Sequence, residues 1–79
     1  MNSNECGRRR YAARYAIRAI LDERGLSMSA LARTIGVTAE TVSATVRGKM
    51  HSPKVLTALR SLGVPERFLF DPHEMNKAA

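Results

Sequence analysis

The sequence predicts a compact all-α domain of five short helices. Three observations carry that expectation. Apolar residues recur three and four positions apart. Glycines, and Ser or Thr ahead of an apolar run, fall about one short helix apart. No stretch alternates apolar and polar residues convincingly enough to make a strand.

The elements follow from the punctuation. The polar, aperiodic residues 1–7 are expected to form a disordered lead, the folded domain to occupy 8–71, and 72–79 to be a flexible tail. The first predicted helix covers about residues 9–24, with Ala13, Ile17, Ile20 and Leu21 on one face and Gly25 beyond its end. Ser27 caps the second, whose apolar face is Leu31, Ala32 and Ile35 and which stops at Gly36. Thr38 caps the third, which carries Val42 and Val46 one turn apart and stops at Gly48. Ser52-Pro53 starts the fourth, because Pro loses nothing at the first helical position. That helix presents Val55, Leu56, Leu59 and Leu62 and ends at Gly63. A short fifth helix from Pro65 contributes Phe68, Leu69 and Phe70 to the core.

Composition narrows the function. A 79-residue domain buries only about 60% of the surface its unfolded chain exposes, which disfavours a deep enzyme cleft. The net charge of +6, from 13 Lys+Arg against 7 Asp+Glu, favours a polyanionic partner. No apolar run approaches the ~20 residues of a membrane span, and the N-terminus lacks the apolar stretch of a signal peptide. Cys6 is the only cysteine, so no intrachain disulfide forms and a reducing cytoplasm fits. Its thiol is expected to be inert in the lead.

Residues 28–48 carry the most information. Two helices are joined there by a turn of about three residues around Gly36, the spacing of a helix-turn-helix. Ala32 is small where the second helix of the pair crosses. Leu31, Ile35, Val37 and Val42 fill the angle between the two. The locked angle lets the second helix protrude into a major groove about 12 Å wide.

At these residues the sequence resembles the Cro/phage-repressor (XRE-type) helix-turn-helix family. The resemblance is carried by GLSMSALARTIGVTAETVSATVRGK and then SPKVLTALRSLGVPERFLF. It is nearest to the small Ner-like phage regulators, which share a V-S-x-x-V-R-G-like run and a closing L-G-V-P. TVSATVRG is also similar to the recognition helix of lac-repressor-type proteins. The resemblance covers residues 13–72. It implies a lambda-repressor-like fold, double-stranded DNA as partner, a regulator (a repressor) of phage or bacterial promoters, and no cofactor. The setting it implies is the cytoplasm, at the nucleoid. The sequence departs from the family at Met28, where Gln is usual, and at Thr45, where a large apolar residue is usual.

The recognition helix, 38–47, is expected to turn Thr38, Ala39, Glu40, Thr41, Ser43 and Ala44 toward the bases. None is Arg, Lys, Gln or Asn, so bidentate base contacts are not available. Glu40 either accepts from cytosine N4 or simply suits the helix dipole. Ala39 and Ala44 either touch thymine methyls or only let the helix sit deep. Expected phosphate contacts are Ser27, Ser29 and Arg33 on one side, and Arg47, Lys49, His51, Ser52 and Lys54 where the third helix gives way to the fourth. Arg8, Arg9 and Arg10 form either an N-terminal arm reaching the DNA or a solubilising face.

Catalytic residues and a metal site are not expected. His51 and His73 lack ligand partners at metal spacing, and no nucleophile motif surrounds the serines. Tyr11 and Tyr15 share a helix face and are expected to pack. The assembly expected is a weak homodimer, or two monomers meeting on DNA, through the surface near Phe68, Leu69 and Phe70. The rival reading is a helix-turn-helix antitoxin or adaptor whose main partner is another protein. A membrane-surface role for the Arg-rich first helix is weaker, because that helix lacks a Trp/Phe/Leu-rich face.

Overall fold

The computed structural model describes residues 2–72, and four of its helices begin where a polar side chain accepts from a backbone N–H. The described residues form six helices and no strand: α1 (Ser3–Ala12), α2 (Arg14–Glu23), α3 (Met28–Ile35), α4 (Ala39–Val46), α5 (Pro53–Ser61) and α6 (Glu66–Leu69). The all-α expectation holds. Ser27, Thr38 and Ser52 cap α3, α4 and α5 through their hydroxyl oxygens, which accept from Ala30, Thr41 and Val55 N–H groups. Each such cap contributes about 1 kcal/mol.

The core draws on every helix after the first. Ile17 and Leu21 of α2, Leu31 and Ala32 of α3, Val42 and Val46 of α4, and Val55, Leu56 and Leu59 of α5 are buried together. Val64 and Leu69 close it from below, with Ile35, Val37 and Phe68 partly buried around the rim. Thr45, at the position where a large apolar residue was expected, is fully buried. Its hydroxyl donates to Thr41 O at 2.8 Å, so the polar atom is satisfied one turn back within its own helix.

The N-terminal end differs from expectation. The lead is helical from Ser3, and the single helix expected over 9–24 is two. Asn2 caps α1 by accepting from Glu5 N at 2.8 Å, and Glu5 pairs with Arg9 one turn on. The ladder breaks at Ala13, whose N–H is shared between Arg9 O and Arg10 O. Arg14 Nη1 donates to Tyr11 O at 2.8 Å, so an inserted side chain marks the kink.

The kink lets α1 fold onto the turn after α4. Cys6, Gly7 and Arg10 form its buried face. Gly7 and Gly48 meet backbone to backbone: a Cβ on either would collide with the other's carbonyl. Gly48 also holds φ +80°, a conformation glycine adopts without penalty. Cys6 is therefore buried under α1 rather than carried on a loose arm. Tyr11 and Tyr15, expected to pack, are instead 47% and 66% exposed, with the Arg14 guanidinium over both rings.

At the other end, α6 stops at Phe70 with φ 46°. Arg60 Nη2 donates to Asp71 at 3.2 Å and Arg60 also pairs with Glu66, tying the end of α5 to both flanks of α6. The tail expected over 72–79, and His73 within it, lie beyond the described residues except for Pro72. Among the described residues no helix is long and apolar enough to cross a membrane.

Candidate nucleic-acid interface

Helices α3 and α4 pack against each other more extensively than any other pair among the described helices, and they are joined by Gly36, Val37 and Thr38 alone. Gly36 stands at φ +77°, and its N–H and that of Val37 both donate to Ala32 O at 2.9 and 3.0 Å. That closes α3 and turns the chain sharply into the Thr38 cap. Val37 then plugs the angle between the helices beside Leu31 and Val42. The turn is therefore rigid, and α4 projects at an angle fixed by the core.

Along α4, Val42, Thr45 and Val46 point inward. Thr38, Ala39 and Glu40 are exposed, while Thr41, Ser43 and Ala44 are half-buried. Of the six residues expected at the bases, the three at the start of the helix are thus the most open. Three of the six have local work. The Thr38 and Thr41 hydroxyls lie 2.8 Å apart, and Thr38 also caps the helix. Glu40 pairs with Arg47, two turns along, at 3.3 Å. Arg47 is held on the helix surface by a second contact, Nε donating to Ser43 O at 3.4 Å. Sequence reasoning placed Glu40 and Arg47 in separate roles and did not pair them.

The expected phosphate contacts divide by environment. Ser27, Ser29, Arg33, Lys49 and Lys54 are exposed, while Arg47, His51 and Ser52 are half-buried. Capping by Ser27 and Ser52 occupies an oxygen lone pair and leaves the O–H as a donor. His51 Nδ1 lies against Arg10 Nη2, and Arg10 Nη2 also donates to Met50 O at 3.5 Å. His51 is thus part of the support of the loop after α4.

The residues expected as an N-terminal arm or a solubilising face are helical. Arg8, Arg9 and Arg10 belong to α1; the first two are exposed and Arg10 is buried. Burial pulls the Arg10 guanidinium below its ordinary range, opposed by the nearby Asp71 carboxylate. Its Nε and Nη1 have no hydrogen-bond partner among the described residues. Arg10 therefore braces α1 against the loop carrying His51, and only Arg8 and Arg9 of the three present their charge to solvent. A sequence signal for this helix existed: Asn2 followed three residues later by Glu5 is the pattern of a capped start.

Leu69, one of the three residues expected to offer an apolar docking surface, is fully buried in the core. Phe68 and Phe70 stay partly exposed, beside Ala12, Ala13 and Ala16 and between Arg9 and Arg67.

A sequence model described as helix-turn-helix matches residues 17–68, about two thirds of the chain. The match spans α2 to α6 up to Phe68 and leaves α1 outside. No curated protein and no solved structure matches the chain.

Proposed function

The chain belongs to the helix-turn-helix family of the Cro/phage-repressor (XRE) type, a family of DNA-binding transcription regulators, and we propose that it is a sequence-specific repressor binding duplex DNA through α4. The observation that carries this reading is the geometry of α4: three buried side chains hold it by one side, and its first turn, Thr38, Ala39 and Glu40, stands open to solvent, with the Glu40–Arg47 pair along the exposed surface. A helix so held enters a groove without rearranging. Its eight residues span about 12 Å, the width of the major groove.

Lys49 and Lys54, exposed and in no ion pair among the described residues, supply phosphate binding, and Arg33, Ser27 and Ser29 supply it from the α3 side. Small side chains on the working face give little direct readout, so specificity comes from DNA shape and from doubling the contact. The assembly we propose is a weak homodimer, or two monomers meeting on DNA, over inverted half-sites about 10 bp apart. With Leu69 buried, Phe68 and Phe70 remain as its apolar contacts. The site of action is the nucleoid of a phage-infected or bacterial cytoplasm.

The test separates reading from positioning. Lys49→Ala is expected to weaken specific and nonspecific duplex about equally and to reduce the salt slope of log K by roughly 0.9. Ala44→Arg is expected to disturb only the specific complex. Lys49→Ala changing site preference while Ala44→Arg is silent would place the wrong helix in the groove.

A further inference from the structure

Helix α1 lies outside the family-matched segment, yet it supplies one wall of a cleft of about 440 Å³ whose other wall is the end of α4. We propose that this cleft holds a nucleotide unit of the DNA backbone next to the groove occupied by α4, so that α1 extends the interface past the helix-turn-helix. This rests on the DNA-binding reading above.

The chemistry of the lining points to a phosphate ester. Arg8 from α1 and Arg47 and Lys49 from the other side bring three fixed cations to one cleft, and no lining residue is a carboxylate. Ser3, Asn4 and Tyr11 add neutral hydroxyl and amide groups able to donate to phosphate or sugar oxygens. The volume is too large for a bare phosphate and lies within the range of small-ligand sites. Arg14, stacked 3.7 Å over the Tyr11 ring, steadies that wall.

Position agrees with chemistry. The cleft sits at the C-terminal end of a helix about as long as the groove is wide, where the bordering strand runs when the first turn meets the bases. Its walls are fixed by the Gly7–Gly48 contact, so it is not a gap that closes freely. To reach a phosphate Arg47 gives up an exposed partner, Glu40, and a long contact to Ser43 O, and exposed pairs of this kind hold weakly.

The experiment uses the full chain on duplexes carrying a selected site and trimmed stepwise at both ends. Arg8→Ala is expected to weaken binding about tenfold at low salt and to lower the salt slope by roughly 0.9. It should do so only on duplexes long enough to include the flanking phosphates, while Arg8→Lys keeps the slope. Protection of Cys6 from a thiol reagent shows that α1 stays docked in each variant. Ser3→Glu, a substitution favourable at a helix start, should weaken binding by a similar factor by placing a carboxylate in the cleft. Arg8→Ala and Ser3→Glu binding every duplex like the parent chain overturns the proposal. So does Arg8-dependent binding of free thymidine monophosphate combined with duplex binding indifferent to Arg8, which makes the cleft a nucleotide site instead. If the parent chain itself binds no duplex, the DNA-binding reading fails first.

Discussion

Replacing Gly7 or Gly48 by Ala tests the docking of α1 most sharply, because the two backbones touch and a third glycine provides the control. Gly36 holds φ +77° with nothing within 4 Å of a Cβ built on it, so Gly36→Ala carries conformational strain alone, about 1–2 kcal/mol. Gly48→Ala carries the same strain at φ +80° plus a collision with the Gly7 backbone. Overpacking adds about 1–3 kcal/mol, for a total of about 2–5 kcal/mol. Gly7→Ala has the collision without the strain, and recovers about 0.5–1 kcal/mol because Ala favours a helix interior.

Neither collision can cost more than the free energy that docks α1, since the segment can detach and relieve the clash. The double variant is therefore expected to be less destabilised than the sum of the singles. Urea unfolding with the slope recorded measures the cost, and each kcal/mol lowers Tm by about 4–8 °C in a domain this small. Cys6, fully buried on the same face of α1, reports detachment through its reaction with a thiol reagent. Gly7→Ala and Gly48→Ala should expose it, and Gly36→Ala should not. A Gly7→Ala chain with the parent's Tm and a protected Cys6 refutes the contact.

Glu40→Gln releases Arg47 and removes a carboxylate from the exposed start of α4. Because an exposed pair is worth about 0–1 kcal/mol, nonspecific duplex should bind up to about fivefold tighter at low salt in fluorescence anisotropy, and less so at high salt. A tenfold or larger loss confined to the specific site would show Glu40 accepting from a cytosine instead. Asp71→Asn removes the carboxylate that Arg60 and the buried Arg10 face. It should cost about 1–3 kcal/mol in urea unfolding, and unchanged stability would mean that Glu66 alone anchors α6.

Helices α3, α4 and α5 were legible because each begins at a hydroxyl cap and repeats its apolar residues at helical spacing. Ser27, Thr38 and Ser52 fix three starts, and Gly36 fixes the turn that matters for function. Helix α1 was not legible by the same signal, since its buried face is Cys6, Gly7 and Arg10, only one of which an apolar pattern counts. The fit of Gly7 to Gly48 joins residues far apart in sequence, and no local pattern announces it. The same distance hid the cleft, which needs Arg8 and Lys49 side by side. The outward side of α4 followed directly from the spacing of Val42 and Val46. The Glu40–Arg47 pair, seven residues apart, called for two turns of side-chain reach that spacing rules of three and four omit. Tyr11 and Tyr15 share a face, as expected, but the kink at Ala13 turns that face to solvent.

The central claim is that α4 lies in a major groove of duplex DNA. Sites selected from a random-sequence duplex pool, then probed by methylation protection at guanine N7 and by ethylation interference, test it most directly. The account predicts protected N7 positions within one groove face per bound copy, bordered by interfering phosphates on both strands. It also predicts that Ala44→Arg abolishes the N7 protection while phosphate interference persists at low salt. Selection yielding no enriched sequence, with no N7 protected at any salt that supports binding, would contradict it.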